Sequence, residues 1–143
     1  MKKPEISVNF QSKGVELIES SMTSPAKPLP AEIVFNFDLH LEHRVNSEDN
    51  ILIVVCSVSV FNETREEQFG KLQSGCVYLI ENLAQFVNPE TKVLELPEPI
   101  ATTLNSVSIS TTRGLMFSMF RGTFLHNAVL PMVNPASFIV QKK

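Results

Sequence analysis

The sequence predicts a single α+β domain in which four antiparallel strands form a sheet and a helical layer covers one of its faces. Three observations carry this prediction: period-2 alternation of apolar residues in the first half of the chain, a proline-rich interruption after the first strand, and helical spacing in the last third. With 143 residues, the chain is long enough to bury a core without disulfides or metals. We therefore expect residues 1–143 to form one domain.

The first predicted strand contains a change of apolar phase. Apolar and polar residues alternate from Ile6 to Phe10, whereas Val15 and Leu17 have the opposite parity. Parity fixes the face of a strand that a side chain occupies, and one extra residue reverses it. We therefore predict a β-bulge within Ser12–Gly14.

A proline-rich segment separates the first strand from the second. Ser20–Pro30 includes Pro25 and Pro28 and has little periodicity. Because proline fixes its own φ and donates no backbone hydrogen bond, a tight hairpin does not fit here. A long crossover loop is predicted.

Three more strands follow the crossover. In the second predicted strand, apolar residues at odd positions from 33 to 41 alternate with polar ones. This strand therefore has one buried face and one solvent-exposed face. Residues 51–61 and 68–80 are apolar on both sides, which indicates cover on both faces and, for residues 51–61, a central position. Polar segments at 46–50 and 62–67 provide the turns.

The last third of the chain has the spacing of a helix. Apolar residues recur at helical intervals from Pro99, which suits a first turn, to Arg121, and Gly122 follows as a C-terminal cap. Ser106–Gly114 is rich in small hydroxyl residues, which are mediocre helix formers but allow close packing against a neighbour. One kinked helix and two helices joined near Ser108–Thr112 both fit this pattern.

Composition and charge argue against two classes of partner. The chain is 43% hydrophobic and 19% charged, with no apolar run as long as a membrane span, so we expect it to fold in water without membrane insertion. A net charge of −3 with scattered cationic residues argues against nucleic-acid binding. Met1–Lys3 is followed by Pro4 and Glu5, with no apolar segment of signal-peptide type, so we expect a cytoplasmic protein.

Cys56 and Cys76 both lie in apolar, strand-like runs, where cysteine usually packs as a small hydrophobe. We interpret both as reduced thiols. If the two runs form a hairpin, the cysteines become cross-strand neighbours, and a disulfide would then need an oxidising compartment and favourable geometry.

The polar residues give weak signals for chemistry. Asp38, His40 and Glu42 share one strand face, a spacing that suits a metal site or an acid/base pair, but no second His or Cys cluster supports it. Neither His43 nor His126 lies in a nucleophile-like arrangement, and the five glycines are isolated. We therefore interpret the strand face as solvated and expect no metal, no cofactor and no enzymatic activity.

The order of these elements resembles the SecB family of protein-export chaperones. Leu72–Tyr78 is similar to the Val-Gln-Gln-Gly-Gly-Ile-Phe strand of that family, Arg121–Phe124 to its Arg-Gly-Thr-Phe segment, and Leu130–Pro135 to its Pro-Val-Asn segment. The resemblance runs over nearly the whole chain, and its weight comes from the shared order of the segments.

The chain also departs from the family pattern. Leu125 stands where the family usually has proline, and Thr111–Gly114 only loosely matches its Tyr-Ala-Arg-Glu segment. The longer C-terminal helix and tail of the family have no counterpart, so the resemblance is to a divergent member with a short C-terminus. The family uses that region and an acidic outer sheet face to contact the translocase ATPase, so client binding is expected to survive better than translocase docking.

The resemblance implies an ATP-independent holdase that binds unfolded polypeptides in exposed apolar grooves during protein export. Ten phenylalanines and five methionines suit such grooves, although most residues of these types are core residues. The implied grooves lie between the crossover loop, the helical layer and the sheet. They point to Met22, Pro25, Leu29, Tyr78, Phe86 and Leu96 as client contacts. The acidic residues Asp38 and Glu42 would dock the partner.

A homo-oligomer is also expected, as a dimer of dimers like the family. Small residues keep the predicted helix slim, while its apolar residues offer more surface than one sheet face covers. The expected interface residues are Ser106, Ser110, Gly114, Met119 and Phe120.

Three other functions remain open from the sequence. The first is a dedicated chaperone of a toxin–antitoxin system, with one client. The second is a small-ligand binder or enzyme on the same scaffold, because fold does not fix function. The third is a structural oligomer subunit without a client.

Overall fold

The computed structural model describes residues 9–134. Its elements in chain order are β1 (Phe10–Met22), β2 (Asn36–Asn46), β3 (Ile51–Phe61), β4 (Gln68–Ile80), a 3₁₀ turn (Leu83–Phe86) and α1 (Glu98–Phe120). The four strands and the helical layer confirm the predicted α+β class. The start of the first predicted strand, from Ile6 to Val8, lies outside the described residues.

β1 and β2 are consecutive in the chain but lie at opposite edges of the sheet. The strand order is β1-β4-β3-β2, and each neighbouring pair is antiparallel. The chain therefore passes the ends of β4 and β3 to reach β2, which requires a crossover loop at residues 23–35 in place of a hairpin. The predicted crossover is confirmed.

β1 contains two bulges, of which the sequence predicted one. Its register against β4 shifts between Ser12 and Gly14, as the reversal of apolar phase predicted, and shifts again between Leu17 and Glu19. The second bulge was not predicted, because Leu17 and Ile18 are both apolar and hide the change of parity.

The second bulge turns Ile18 onto the sheet face opposite the helix. A Cβ atom at Gly75 would lie 3.2 Å from Ile18 Cδ1 and 3.4 Å from Ile53 Cγ2. Ile18 therefore occupies the space that a side chain on β4 would fill, and it covers the centre of this face.

α1 packs against β3 and β4 on the face that carries Phe37 and Leu39. Leu39 pairs with Val58, which pairs in turn with Leu72, so these side chains share one face. Ser74 lies two residues further on the same face, where its hydroxyl bonds to α1. The helix therefore covers the apolar face of β2, which the alternation predicted to be buried.

α1 is one continuous helix, which resolves the choice between one kinked helix and two. Its interior hydroxyls bond to the preceding turn: Ser108 Oγ donates to Leu104 O at 2.7 Å, and Thr112 Oγ1 donates to Ser108 O at 2.7 Å. These bonds satisfy the hydroxyls inside the helix. No helix within residues 9–134 has the length and apolarity that a bilayer crossing requires.

The chain reverses after α1 and returns along it. Gly122 adopts φ +76°, a conformation that glycine accepts without strain, and the following segment buries Leu125 and Leu130 in the core. Arg113 fastens this return segment, because its Nε donates to Leu130 O at 2.9 Å and its Nη2 to Pro131 O at 3.1 Å.

Cys56 and Cys76 are free thiols inside the core, as predicted. Cys56 pairs with Ser74 and Cys76 pairs with Val54, so the two cysteines are diagonal neighbours on β3 and β4. Burial raises the pKa of Cys56 to about 11 and also raises the pKa of Cys76, so both remain protonated and unreactive near neutral pH.

Candidate functional site

Three polar side-chain contacts, which we call the polar seam, join α1 to the sheet. His43 Nε2 lies 2.9 Å from Asn105 Oδ1, and Ser74 Oγ lies 2.8 Å from Thr112 Oγ1. The third contact joins Tyr78 to the helix. No buried side-chain N or O atom within residues 9–134 lacks a hydrogen-bond partner. Because directional bonds hold α1 at three levels, the helix forms a fixed wall above the sheet.

Tyr78 lies at the centre of this seam. Its hydroxyl is 2.9 Å from Ser108 Oγ and donates to Leu104 O at 3.3 Å, and its side chain is only 2% exposed. Burial raises the pKa of Tyr78 to about 12, since the charged phenolate is poorly solvated there. Tyr78, expected as a client contact, is therefore a core residue in the protomer.

The other expected client contacts divide between the two ends of the sheet. Met22 pairs with Gly70 at the start of β4, and Pro25 and Leu29 follow in the crossover loop. Phe86 and Leu96 lie beyond Ile80, at the other end of β4, where Leu96 is buried. At about 3.3 Å per residue, the two groups lie roughly 30 Å apart along the sheet. The structure therefore does not bring all six residues together.

Most of the exposed large apolar side chains on the sheet belong to β1. α1 packs mainly on β3 and β4, so the large apolar side chains of β1 on the helix face remain between 38% and 46% exposed. This β1 strip consists of Phe10, Val15, Leu17 and Met22.

From this strip, the sequence analysis named only Met22 as a client contact. The alternation and the first bulge had identified the apolar side of β1, but periodicity does not state that β1 is an edge strand or that the helix leaves it open. The strip also borders a free backbone edge, because β1 has a sheet partner on one side only within the described residues.

A second exposed surface runs along α1. Val107, Ser110, Gly114 and Phe117 recur at intervals of three or four residues and all face solvent, with Phe117 56% exposed. We call these four residues the helix stripe. No heavy atom of another residue contacts a Cβ placed on Gly114 within 4 Å, so the helix surface at this position is free of neighbouring side chains and accessible to a partner.

The expected interface residues fall into three environments. Ser110 and Gly114 lie on the helix stripe, and Ser106 is half-buried beside it. Met119 is exposed on another side of the helix, at 38%. Phe120 is 1% exposed and belongs to the core, so its side chain is not available to a second copy in this fold.

An open pocket of about 550 Å³ lies between the crossover loop and the β3–β4 turn. Its apolar part comes from Leu29, Ile33 and Phe69. Phe69 packs edge-to-face against Phe35 and Phe124, with ring centroids 6.1 and 5.8 Å apart. The pocket therefore has an aromatic base that is continuous with the core.

The expected acidic docking face carries arginines as well as carboxylates. Asp38 forms an ion pair with Arg65, and Glu42 forms one with Arg44 at 2.9 Å. Asp38 and His40 are exposed, while Glu42 is half-buried. Within residues 9–134, no three His, Cys, Asp or Glu side chains are arranged to hold a metal ion.

Comparison with known proteins gives an informative likeness at the level of the fold. No protein-family model and no curated protein matches the sequence. Among solved structures, the fold is similar to that of the Mycobacterium tuberculosis Rv1957 SecB-like chaperone, which was solved in complex with a ChAD peptide from the Rv1956 HigA1 antitoxin. The TM-score is 0.61 at 10% sequence identity, over 87% of this chain and 89% of the other. The strand order, the crossover loop and the covering helix, together with this likeness, establish that the chain has a SecB-like fold.

Proposed function

We propose that this protein is an ATP-independent holdase that binds non-native polypeptides in the cytoplasm. The observation that carries the proposal is the β1 strip: a row of exposed apolar side chains that α1 leaves open, on an edge strand with no second sheet partner within residues 9–134. An extended client can add main-chain hydrogen bonds to such an edge and place alternate side chains on the strip. Main-chain recognition and non-directional apolar contact both tolerate many client sequences.

The strip by itself binds weakly. Each half-exposed side chain that a client covers contributes about 1 kcal/mol. The entropy lost on ordering the client segment offsets most of this gain and of the main-chain hydrogen bonds, so one strip leaves only a small net affinity. A holdase of this kind therefore needs several strips on one particle, so that a long client binds at more than one of them.

Assembly would supply these additional strips. We propose a homo-oligomer, built as a dimer of dimers, in which the helix stripe joins the copies and the β1 strips remain open to clients. The support is the exposed Phe117 and Val107 beside Ser110 and Gly114, which allow two helices to approach closely.

A dedicated chaperone for one toxin–antitoxin partner is the second candidate. The observation in its favour is that the similar Rv1957 structure contains a peptide from an antitoxin. Such a protein would bind a segment of its one client on the same β1 strip. A pull-down in which one client dominates favours this candidate, whereas many unrelated clients favour a general holdase. A role in export through the translocase ATPase would need docking at Asp38 and Glu42, where Arg65 and Arg44 offset the carboxylate charge.

Light scattering by a denatured substrate during refolding tests the proposal. We expect the wild-type protein to suppress scattering and Val15→Thr to suppress it less, because threonine keeps β propensity but removes apolar surface. Val45→Thr is the matched control, since Val45 is a half-exposed valine on the opposite edge strand. Equal scattering with and without the wild-type protein would reject the holdase.

A further inference from the structure

A second open pocket, of about 470 Å³, lies between the C-terminal half of α1 and the return segment. Its helix side runs from Gly114 past Phe117 to Arg121, and its other side includes His126 and Asn127. Gly114 and Arg121 are seven residues apart, so they share one side of the helix and lie roughly 10 Å apart along its axis. The pocket is therefore long enough for a small organic molecule that lies along the helix.

The return segment is held in place beside this pocket. Arg113 donates to the backbone of the segment, at Leu130 O and Pro131 O. His126 N donates to Thr123 O at 3.0 Å, which closes the turn that carries the imidazole. Both sides of the pocket are therefore positioned by bonds within the protein before any ligand arrives.

Three polar side chains line the pocket with their donors unused. Within residues 9–134, the side chains of Arg121, His126 and Asn127 form no hydrogen bond or ion pair with the protein. A guanidinium, an imidazole and an amide all donate hydrogen bonds, and no lining residue is acidic. The last carbonyls of a helix oppose an anion, but Thr123 N and Oγ1 both donate to Phe120 O, at 3.0 and 2.7 Å, and satisfy it.

The two elements that form the pocket also carry an unusual charge. Every Asp and Glu of the chain lies at or before Glu98, the first residue of α1, whereas Arg113 and Arg121 follow it. The rest of α1 and the return segment are therefore positive, on a chain with a net charge of −3. An anion in the pocket meets no carboxylate from either element.

We propose that this pocket binds a small organic anion in which a phosphate or carboxylate group is joined to a flat apolar group. The guanidinium of Arg121 binds two oxygens of the anion, and His126 and Asn127 donate to it from the return segment. The flat group lies over Gly114, where no side chain excludes it, and packs against Phe117. This ligand site is additional to the proposed holdase function and does not depend on it.

Isothermal titration calorimetry with four probes tests the site. Phenyl phosphate and benzoate carry the two oxyanions, benzamide has the shape of benzoate without its charge, and inorganic phosphate lacks the ring. We expect phenyl phosphate to bind about tenfold more tightly than benzamide or inorganic phosphate, because each of these lacks one half of the recognised molecule. Equal affinities for phenyl phosphate and benzamide would overturn the inference. Benzoate binding more tightly than phenyl phosphate would support it and assign the anion as a carboxylate.

Two variants locate the binding. Arg121→Gln should lower the affinity for phenyl phosphate about tenfold and change that for benzamide by less than about twofold. Gly114→Leu should abolish binding of both probes, because its side chain fills the space above the helix, where a Cβ meets no neighbour and the fold is undisturbed. The matched control is Lys92→Gln, which makes the same change in net charge as Arg121→Gln at an exposed position in the loop before α1. An equal loss of affinity in this control would assign the effect to overall charge and overturn the inference.

The remaining outcomes separate the ligand site from the proposed assembly. Gly114 and Phe117 also belong to the helix stripe, so we expect phenyl phosphate to bind less tightly as rising protein concentration assembles the particle. An affinity that is equal for monomer and oligomer would support the ligand site and reject the stripe as the interface. If the wild-type protein binds no probe and Arg121→Gln changes the particle mass in sedimentation equilibrium, the pocket holds a second copy of the chain and the inference is wrong.

Discussion

At the scale of single residues, glycine and tyrosine positions set how closely the layers approach. A Cβ at Gly70 would lie 2.8 Å from Leu125 Cδ1 and 3.1 Å from the carbonyl oxygen of Ser21. The second neighbour is backbone and cannot move without disturbing the β1–β4 ladder. Gly70 therefore lets the return segment and β1 meet at the crossover end of the sheet.

Gly70→Ala should lower the free energy of unfolding by about 1–3 kcal/mol, because the added methyl group overpacks this contact. Gly14→Ala is the control, since nothing lies within 4 Å of a Cβ there. The control should change stability by less than about 0.5 kcal/mol. Urea unfolding measures both variants, and equal effects would contradict the packing argument.

Tyr78 allows a direct spectroscopic test of its burial, because it is the only tyrosine and the chain has no tryptophan. Its pKa of about 12 in the folded protein predicts that tyrosinate absorbance rises about two pH units later than in urea-unfolded protein. The neutral form is favoured by folding, so this contribution to stability is complete below pH 10. It is lost as the pH rises from about 10 to about 12. A folded-state titration near pH 10 would mean that the hydroxyl is solvated.

At the scale of elements, hydroxyl residues make α1 a helix that fits this sheet. A sequence rich in Ser and Thr predicts weak helix formation. From local propensity alone, two helices joined near Ser108–Thr112 were as possible as one kinked helix. Packing decides otherwise, because the small side chains allow close approach and their hydroxyls bond to both the helix and β4. Propensity could not reveal this, since the partners Ser74 and Tyr78 are distant in sequence.

Thr112→Val should destabilise the protein by about 1–3 kcal/mol, because it leaves the buried Ser74 hydroxyl without its helix partner. Thr103→Val is the matched control: Thr103 is exposed and bonds only to Pro99 O in the same helix. The double variant Ser74→Ala/Thr112→Val should lose less than the sum of the single variants. Additive losses in urea unfolding would show that the two hydroxyls act independently.

At the scale of the whole molecule, the fold was predictable and the candidate site was not. Alternation, proline content and helical spacing are local signals, and they predicted the elements and the crossover. The adjacency of β1 and β4 depends on strand order, which local periodicity does not encode. For this reason Val15 and Leu17 were not named as client contacts. Tyr78 was expected to contact clients and Phe120 to lie in an oligomer interface, but the structure buries both side chains in the core.

Phe117→Glu should weaken assembly without unfolding the protomer, because Phe117 is exposed on the helix stripe and a buried charge between copies is costly. Val45→Glu, at an exposed apolar position on β2, should leave assembly unchanged. Sedimentation equilibrium at micromolar concentration distinguishes them by mass. A wild-type protein that stays at the 16.0 kDa monomer mass at every concentration would reject the oligomer.

The strand order also determines when each edge of the sheet is completed during synthesis. β2 pairs with β3 and β3 pairs with β4, so each of these pairs joins consecutive strands, but Phe10 in β1 pairs with Ile80 at the far end of β4. Contacts so distant in sequence form slowly and only after the intervening chain exists. Of the four strands of this sheet, β1 is therefore the first to leave the ribosome, and its pairing is the last to become possible. Until β4 emerges, the nascent chain exposes the same kind of extended apolar segment that we propose the finished protein binds.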